Sequence, residues 1–88
     1  MRRVQVTIKG NVQGVFFRAN IAKKAKELKI KGYVKNTEND VEALFEGNDN
    51  AVAEILEFCL IGPKESKVKS IDIDEEEYVG EYKDFIIE

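Results

Sequence analysis

The spacing of apolar residues changes period along this 88-residue chain, and that change restricts its possible folds more than any other feature. Between Arg3 and Gly10, apolar and polar side chains alternate, which predicts a half-buried β-strand. The alternation then stops, and from Phe17 the apolar residues recur every three or four positions, which predicts a helix with lysines on its exposed face. The predicted buried positions of this helix are Phe17, Ile21, Ala25 and Leu28, and Gly32 is expected as its C-cap.

The middle of the chain predicts a hairpin followed by a second helix. Residues 32–36 and 41–45 are two predicted strands, and Glu-Asn-Asp at 38–40 predicts the tight turn between them. Asn and Asp at 48–50 are expected to cap the second helix, and Gly-Pro at 62–63 is expected to end it. The predicted buried stripe of this helix is formed by Val52, Ile55, Leu56 and Cys59.

The remaining strands complete a recognisable order of elements. Residues 68–74 predict a fourth strand with Ile71 and Ile73 pointing inward, and Phe85–Ile87 predicts a short final strand. The order is therefore β-α-β-β-α-β with a small extra strand. Helices that return the chain between such strands must lie on one face of the sheet, so the predicted fold is a ferredoxin-like α+β sandwich of two layers. No linker or repeat interrupts the pattern, and residues 1–88 are expected to form a single domain.

The composition excludes several kinds of chemistry. The chain has no histidine, so Ser-His-Asp triads, histidine bases and ordinary zinc sites are excluded. It has one cysteine, Cys59, and no apolar run of the length that a membrane helix needs, so we expect a cytoplasmic protein with no membrane association. Cys59 lies on an apolar helical stripe and is expected to be a core residue rather than a nucleophile.

The charges are unevenly distributed along the chain. Residues 1–37 contain ten Lys and Arg against one acidic residue, whereas residues 38–88 contain four Lys and sixteen Asp and Glu. The basic half could attract an anion. Alternatively, the two halves could interleave in one domain and largely neutralise each other, and the sequence alone favours this second interpretation.

The strongest functional pattern lies between the first strand and the first helix. Gly10 and Gly14 stand four residues apart, so the backbone there can curl closely around a ligand. The helix that follows directs unpaired N–H groups toward the same point, which is typical of an anion site. The alternative is an ordinary strand-to-helix turn. Arg18 favours the anion site, because it is the one arginine away from the N-terminus and its planar guanidinium matches a phosphate group.

These residues resemble a known family. Gly10-Asn-Val-Gln-Gly-Val-Phe-Phe-Arg18 matches the signature Gly-x-Val-Gln-Gly-Val-x-Phe-Arg of the acylphosphatases. Gly32-Tyr-Val-Lys-Asn36 matches their second motif, Gly-(Trp/Phe/Tyr)-Val-x-Asn. The resemblance covers essentially the whole chain. In one departure, only four residues, 37–40, separate Asn36 from the next strand, one fewer than is usual in the family and without a glycine.

The resemblance implies a metal-independent, cofactor-free hydrolase that converts acyl phosphates into a carboxylate and inorganic phosphate. It implies that Arg18 binds the phosphoryl oxygens and that Asn36 positions the attacking water. The backbone amides that would hold the phosphate belong to Asn11, Val12, Gln13, Gly14, Val15, Phe16 and Phe17, together with Arg18. The chemistry agrees, because a carboxylate is a good leaving group and charge stabilisation can replace a strong general acid. We expect a monomer with small-molecule substrates and no nucleic-acid partner.

Two rival interpretations remain at this stage. The same topology could carry an RNA-binding or anion-binding module that uses the lysine-rich segment 23–35 and has no turnover. An RNA-binding sheet would need exposed aromatic residues on its open face, where we expect Gln5, Thr7 and Glu42. The acidic run at 72–77 could bind a hard cation weakly, but a solvated strand end is the more probable interpretation of such a run.

Overall fold

The structure, a computed structural model, describes residues 1–14 and 16–88. Five strands and two helices follow one another in the predicted order. In chain order they are β1 (Arg2–Asn11), α1 (Phe17–Glu27), β2 (Lys31–Asn36), β3 (Val41–Gly47), α2 (Asp49–Ile61), β4 (Lys67–Glu76) and β5 (Phe85–Ile87). The changes in apolar period therefore predicted the type of each of these elements. The first and last residues of the elements differ from the predicted bounds by a few positions.

The strands form one sheet in the order β4-β1-β3-β2-β5. The pairs β1–β3, β1–β4 and β2–β3 are antiparallel, and β5 pairs with β2 in parallel. Both helices pack on the same face, α1 over β2 and β5, and α2 over β1, β3 and β4. This is the two-layer ferredoxin-like arrangement, with β5 added beside β2.

The core lies between the helices and the covered face of the sheet. The alternating residues of β1 are buried there at Val4, Val6 and Ile8, as the period of two requires. From the helices, the buried residues are Phe17, Ile21, Ala22, Ala25, Val52, Ile55, Leu56 and Cys59. Cys59 is fully buried, and this burial raises the pKa of its thiol to about 12, so the interpretation of Cys59 as a core residue is confirmed.

The predicted C-cap at Gly32 is wrong. The helix ends at the C-cap Leu28, Lys29 takes the left-handed conformation with φ of 60°, and Gly32 lies inside β2. Gly32 serves a different need, because a Cβ atom at this position would lie 1.8 Å from the carbonyl oxygen of Leu44 on β3. The glycine therefore permits the close approach of two backbones.

The predicted inward direction of Ile73 is confirmed, but its side chain is not buried. Ile71 and Ile73 of β4 lie opposite Ile8 and Val6 of β1, so they point to the covered face. Ile71 is partly buried, but Ile73 is 42% exposed. The period of two identified the face, whereas the position of β4 at the edge of the sheet, with no strand beyond it, left Ile73 exposed.

The open face of the sheet is partly covered by the segment 77–84 that joins β4 to β5. Glu46 of β3 is 1% exposed, and its carboxylate binds Nη1 of Arg3 at 3.0 Å. The same carboxylate accepts hydrogen bonds from the backbone N–H groups of Val79, Gly80 and Glu81, at 3.2–3.4 Å. The buried carboxylate of Glu46 thus attaches the segment 77–84 to the sheet.

Aromatic side chains lie on this open face, for which only polar residues were expected from the sequence. Tyr33 packs against Tyr82 with ring centroids 5.9 Å apart, and its hydroxyl donates to Glu42 at 2.5 Å. Tyr33 is half-buried rather than exposed. Its ring is therefore engaged by its neighbours, although the expected polar residues Gln5 and Glu42 do lie beside it.

No helix of the described residues is long and apolar enough to span a membrane.

Candidate active site

Three of the described residues between the end of β1 and the start of α1 have positive φ. Gly10 has φ of 134° at a shift in the β1–β4 register, and a Cβ atom there would lie 2.1 Å from the carbonyl oxygen of Lys67. Gly14 has φ of 74°, with open space where a Cβ atom would stand. Phe16, the N-cap of α1, has φ of 58°. The chain therefore leaves the sheet after Asn11 and enters the helix through a left-handed Phe16.

A left-handed conformation is rare for a bulky side chain and needs support from its surroundings. Asn20 supplies that support, because its side-chain amide and its backbone N–H both donate to the carbonyl oxygen of Phe16, at 2.8 and 3.0 Å. Within the described residues, no side chain caps this helix end and no acidic residue stands in the first turn. The N-terminus of α1 can thus offer backbone N–H groups and its positive dipole end to an anion.

Arg18 is the second residue of α1 and is partly exposed. Its Nη1 donates to the main-chain carbonyl oxygen of Glu88 at 2.8 Å, just beyond β5. This contact engages one nitrogen of the guanidinium and restricts the orientation of the side chain. A guanidinium carries five N–H donors, so donors are left for a ligand.

Asn36 is the last residue of β2, is exposed, and faces the same cavity as Arg18. The cavity has a volume of about 350 Å³. Its lining residues are Val12, Gly14, Phe16, Phe17, Arg18, Ala19, Asn36 and Ile87. The fold therefore brings together two side chains that are eighteen positions apart in the sequence, one from a helix start and one from a strand end.

Gln13 connects the two sides of this site. Its side-chain amide donates to the carbonyl oxygens of Thr37 and Asp40, at 2.9 and 2.8 Å. The four-residue turn is closed by bonds from Thr37 N to Asp40 O at 2.9 Å and from Asp40 N to the Thr37 hydroxyl at 3.2 Å. The shortened turn after Asn36 is thus closed by its own hydrogen bonds and attached to the loop through Gln13.

The residues predicted to bind phosphate divide into three groups. Of the loop residues, Val12, Gly14, Phe16, Phe17 and Arg18 line the cavity, with Asn36 across from them. Asn11 is instead the last residue of β1, paired with Lys67, and the Gln13 side chain points to the turn. Val15 lies outside the residues that the structure describes.

Two lining residues were missed by the sequence analysis, Ala19 and Ile87. Ala19 could have been found, since it follows Arg18 in the first turn of the predicted helix. Ile87 could not, because its place at the cavity depends on the parallel pairing of β5 with β2. Among residues 1–14 and 16–88, no three Cys, Asp or Glu side chains cluster in a way that could hold a metal ion.

Comparisons with known proteins agree with the geometry. The sequence model of the acylphosphatase family matches residues 4–87. An acylphosphatase from Syntrophus aciditrophicus is 46% identical over 88 residues, covering 99% of this chain and 92% of its own length. One from Pyrobaculum aerophilum is 45% identical over 89 residues, with coverages of 99% and 94%. The crystal structure of acylphosphatase from Bacillus subtilis superposes with a TM-score of 0.94 at 34% identity, covering 99% of this chain and 98% of that one.

Proposed function

Because this chain belongs to the acylphosphatase family and hydrolyses acyl phosphates, we propose how its residues divide that reaction. The loop 11–17 and Arg18 hold the phosphoryl group, and Asn36 orients the water that attacks it. The observation that carries this division is the shared cavity of Arg18 and Asn36, which approach it from different elements.

Arg18 suits the phosphoryl group for two reasons. Its contact with the Glu88 carbonyl oxygen, at 2.8 Å, fixes the side chain before a ligand arrives, so less rotamer freedom is lost on binding. Its planar fork can also donate to two phosphoryl oxygens at once. The uncapped N-terminus of α1 adds backbone donors and a favourable dipole at the same place.

Asn36 suits the attacking water because its amide both donates and accepts hydrogen bonds. In the proposed step, the water oxygen bonds to phosphorus and the bridging P–O bond breaks. The carboxylate leaves with the electron pair of that bond. One proton of the water stays on the phosphate and the other goes to solvent. The developing negative charge on the phosphoryl oxygens is stabilised by Arg18 and by the backbone donors.

The reaction needs no metal ion in this scheme. A carboxylate leaves readily, so the main requirement is to stabilise charge, and backbone N–H groups with one guanidinium can meet it. We expect hydrolysis of benzoyl phosphate to persist in excess EDTA, with competitive inhibition by inorganic phosphate. Activity that EDTA abolishes and magnesium restores would contradict the proposal and would point to a metal-bound substrate.

The protein is proposed to act as a monomer in the cytoplasm. The support for a monomer is that one chain supplies both Arg18 and Asn36 to the cavity, so neither proposed role requires a second copy. The support for a reducing compartment is that Cys59, the one cysteine of the chain, is buried and unavailable for a disulfide. Turnover per chain should be independent of protein concentration, and a dimer seen by sedimentation at assay concentrations would refute the monomer.

A further inference from the structure

The cavity is lined by polar and by apolar residues, and the reaction accounts only for the polar ones. Arg18, Asn36 and the backbone at Gly14 can serve the phosphoryl group and the water. The exposed apolar part of the lining, here called the rim, consists of the side chains of Phe16, Ala19 and Ile87, which offer no hydrogen-bond donors or acceptors. An acyl phosphate also has two ends, a phosphoryl group and an acyl group whose chemistry varies between substrates.

The rim residues are exposed to an extent that is unusual for their type. Phe16 is 81% exposed and Ile87 is 48% exposed, although both border a concave site. Removing large apolar side chains from water lowers the free energy, and apolar surface beside a cleft commonly marks the place of a ligand. A hydrocarbon group that covered Phe16 and Ile87 would therefore bind favourably.

The position of Phe16 is held at a conformational cost. Its φ of 58° is unfavourable for a bulky residue, and both donors of Asn20 are needed to hold the Phe16 carbonyl oxygen. The conformation that directs the loop into the helix also leaves the phenyl ring standing at the rim. Phe16 thus belongs to both ends of the site, with its backbone in the loop and its ring at the acyl side.

The charges and the volume restrict what this rim can receive. Arg18 is the one charged residue among the described lining residues, and the proposed reaction assigns it to the phosphoryl group. A volume of about 350 Å³ lies at the lower end of the range for small-molecule sites, roughly 300–1,000 Å³. The acyl group that suits this rim is therefore uncharged and apolar.

We propose that Phe16, Ala19 and Ile87 form an acyl-binding wall, which makes the enzyme selective for acyl phosphates with an aryl or branched aliphatic group over acetyl phosphate. This inference rests on the proposed placement of the phosphoryl group at Arg18. Ile87 determines specificity by contact with the acyl group and takes no part in the chemical step.

The sequence offers a matched control for Ile87. Ile86 is the neighbouring residue of the same strand, has the same side chain and is 47% exposed. Successive residues of a strand point to opposite faces, so Ile86 lies on the side of the sheet away from the cavity. Ile87→Ala and Ile86→Ala therefore remove the same atoms from the same element at comparable exposure.

The test compares kcat/KM for benzoyl phosphate and for acetyl phosphate in the two variants. In Ile87→Ala the ratio of benzoyl to acetyl values should fall roughly tenfold, the lower end of the discrimination that an apolar pocket provides. The ratio in Ile86→Ala should stay at the wild-type value. Ala19→Leu, which keeps a good helix former, should lower the benzoyl value selectively by filling the wall. An unchanged ratio in Ile87→Ala, or equal falls in both isoleucine variants, would overturn the inference.

A binding measurement separates this inference from the reaction on which it rests. Phenacylphosphonate and acetonylphosphonate replace the bridging oxygen with a methylene group, so they cannot be hydrolysed at that bond. Calorimetry should show tighter binding of the phenacyl compound to the wild type, and that preference should weaken in Ile87→Ala. Preferential binding without turnover of either substrate would refute the proposed reaction and leave the wall supported. Turnover with equal binding of the two analogues would refute the wall alone.

Discussion

At the scale of single residues, Arg18 differs from the chain's eleven lysines in geometry more than in charge. A lysine ammonium is a flexible point charge, whereas a guanidinium is a planar fork. The Glu88 carbonyl oxygen, 2.8 Å from Nη1, already fixes the orientation of that fork. Because Arg18 is the second residue of α1, its positive charge lies at the same place as the positive end of the helix dipole.

Arg18→Lys retains the charge and removes the fork, so we expect kcat/KM for benzoyl phosphate to fall by about 10²-fold or more, the scale of losing one preorganised donor. Competitive inhibition by phosphate should weaken as well. Lys23→Ala, on the exposed face of the same helix, should stay within about twofold of the wild type. Near-normal activity of Arg18→Lys would mean that charge alone is sufficient.

Asn36 tests the division between binding and turnover. Asn36→Ala should bind phosphate with nearly native affinity, while its kcat should fall by about 10²-fold because the attacking water loses its orientation. The side chain is exposed at a strand end, so the free energy of unfolding should change by less than about 0.5 kcal/mol. Phosphate titration, turnover and denaturation of the same variant are the measurements.

The control for Asn36 is Asn39→Ala, which removes the same side chain from the exposed tip of the adjacent turn. Its kcat should remain close to the wild-type value. If Asn36→Ala loses phosphate affinity and turnover to the same degree, Asn36 is a binding residue and the proposed division is wrong.

At the scale of elements, the segment 77–84 lacks regular secondary structure, and its attachment to the sheet depends on Glu46. Burial by itself would raise the pKa of Glu46. The Arg3 guanidinium and the N–H of Val79 outweigh that effect and hold the pKa below its ordinary value of 4.5. Because β5 follows this segment, Glu46 also helps to place the strand that carries Ile87.

Glu46→Gln should lower the free energy of unfolding at pH 7 by about 2–3 kcal/mol, since it replaces several charge-assisted hydrogen bonds and leaves Arg3 partly unpaired. The folded pKa is depressed, so this stabilisation is fully present above pH 4.5 and is lost as pH falls through the folded pKa. The difference between wild type and variant should therefore shrink below about pH 4.5.

Denaturant titrations at pH 7, 5 and 3.5 would measure this dependence. Glu57→Gln, an exposed acid on α2, is the control and should differ little from the wild type at any of these pH values. A stability difference that persists unchanged at low pH would show that Glu46 acts through packing and not through its charge.

At the scale of the whole molecule, the site exists because the two sequence motifs meet at one end of the sheet. Gln13 bridges them, since its amide binds the Thr37 and Asp40 carbonyl oxygens at 2.9 and 2.8 Å. The loop that holds Arg18 and the hairpin that carries Asn36 are therefore joined by a side chain and not only by the sheet. Small displacements between them would separate the phosphoryl group from its water.

Gln13→Leu keeps the approximate volume and removes both hydrogen bonds. We expect kcat to fall by about tenfold, because positioning residues affect rate through geometry. The thermal midpoint should drop by only a few degrees, as expected for the loss of partly exposed hydrogen bonds. Activity at the wild-type level would show that the hairpin holds Asn36 without help from the loop.

The sequence by itself determined the type and order of the elements and the covered face of the sheet, and it singled out Arg18 and Asn36, which line the same cavity. Apolar period and turn chemistry are local properties, so they can be recognised without knowing which segments meet. Arg18 and Asn36 were identified in the same way, from motifs contained within short stretches of chain.

Only the tertiary structure determined the pairings between distant segments. The parallel pairing of β5 with β2 places Ile87 opposite Val34 and at the cavity that Asn36 also lines. The close approach of β2 to β3 explains Gly32, which the local pattern assigned to a helix cap. The edge position of β4 left Ile73 exposed although its alternation was correct. The burial and the contacts of a residue depend on which elements lie next to each other. These neighbours come from segments far apart in the sequence, so the period of apolar residues within one segment cannot predict them.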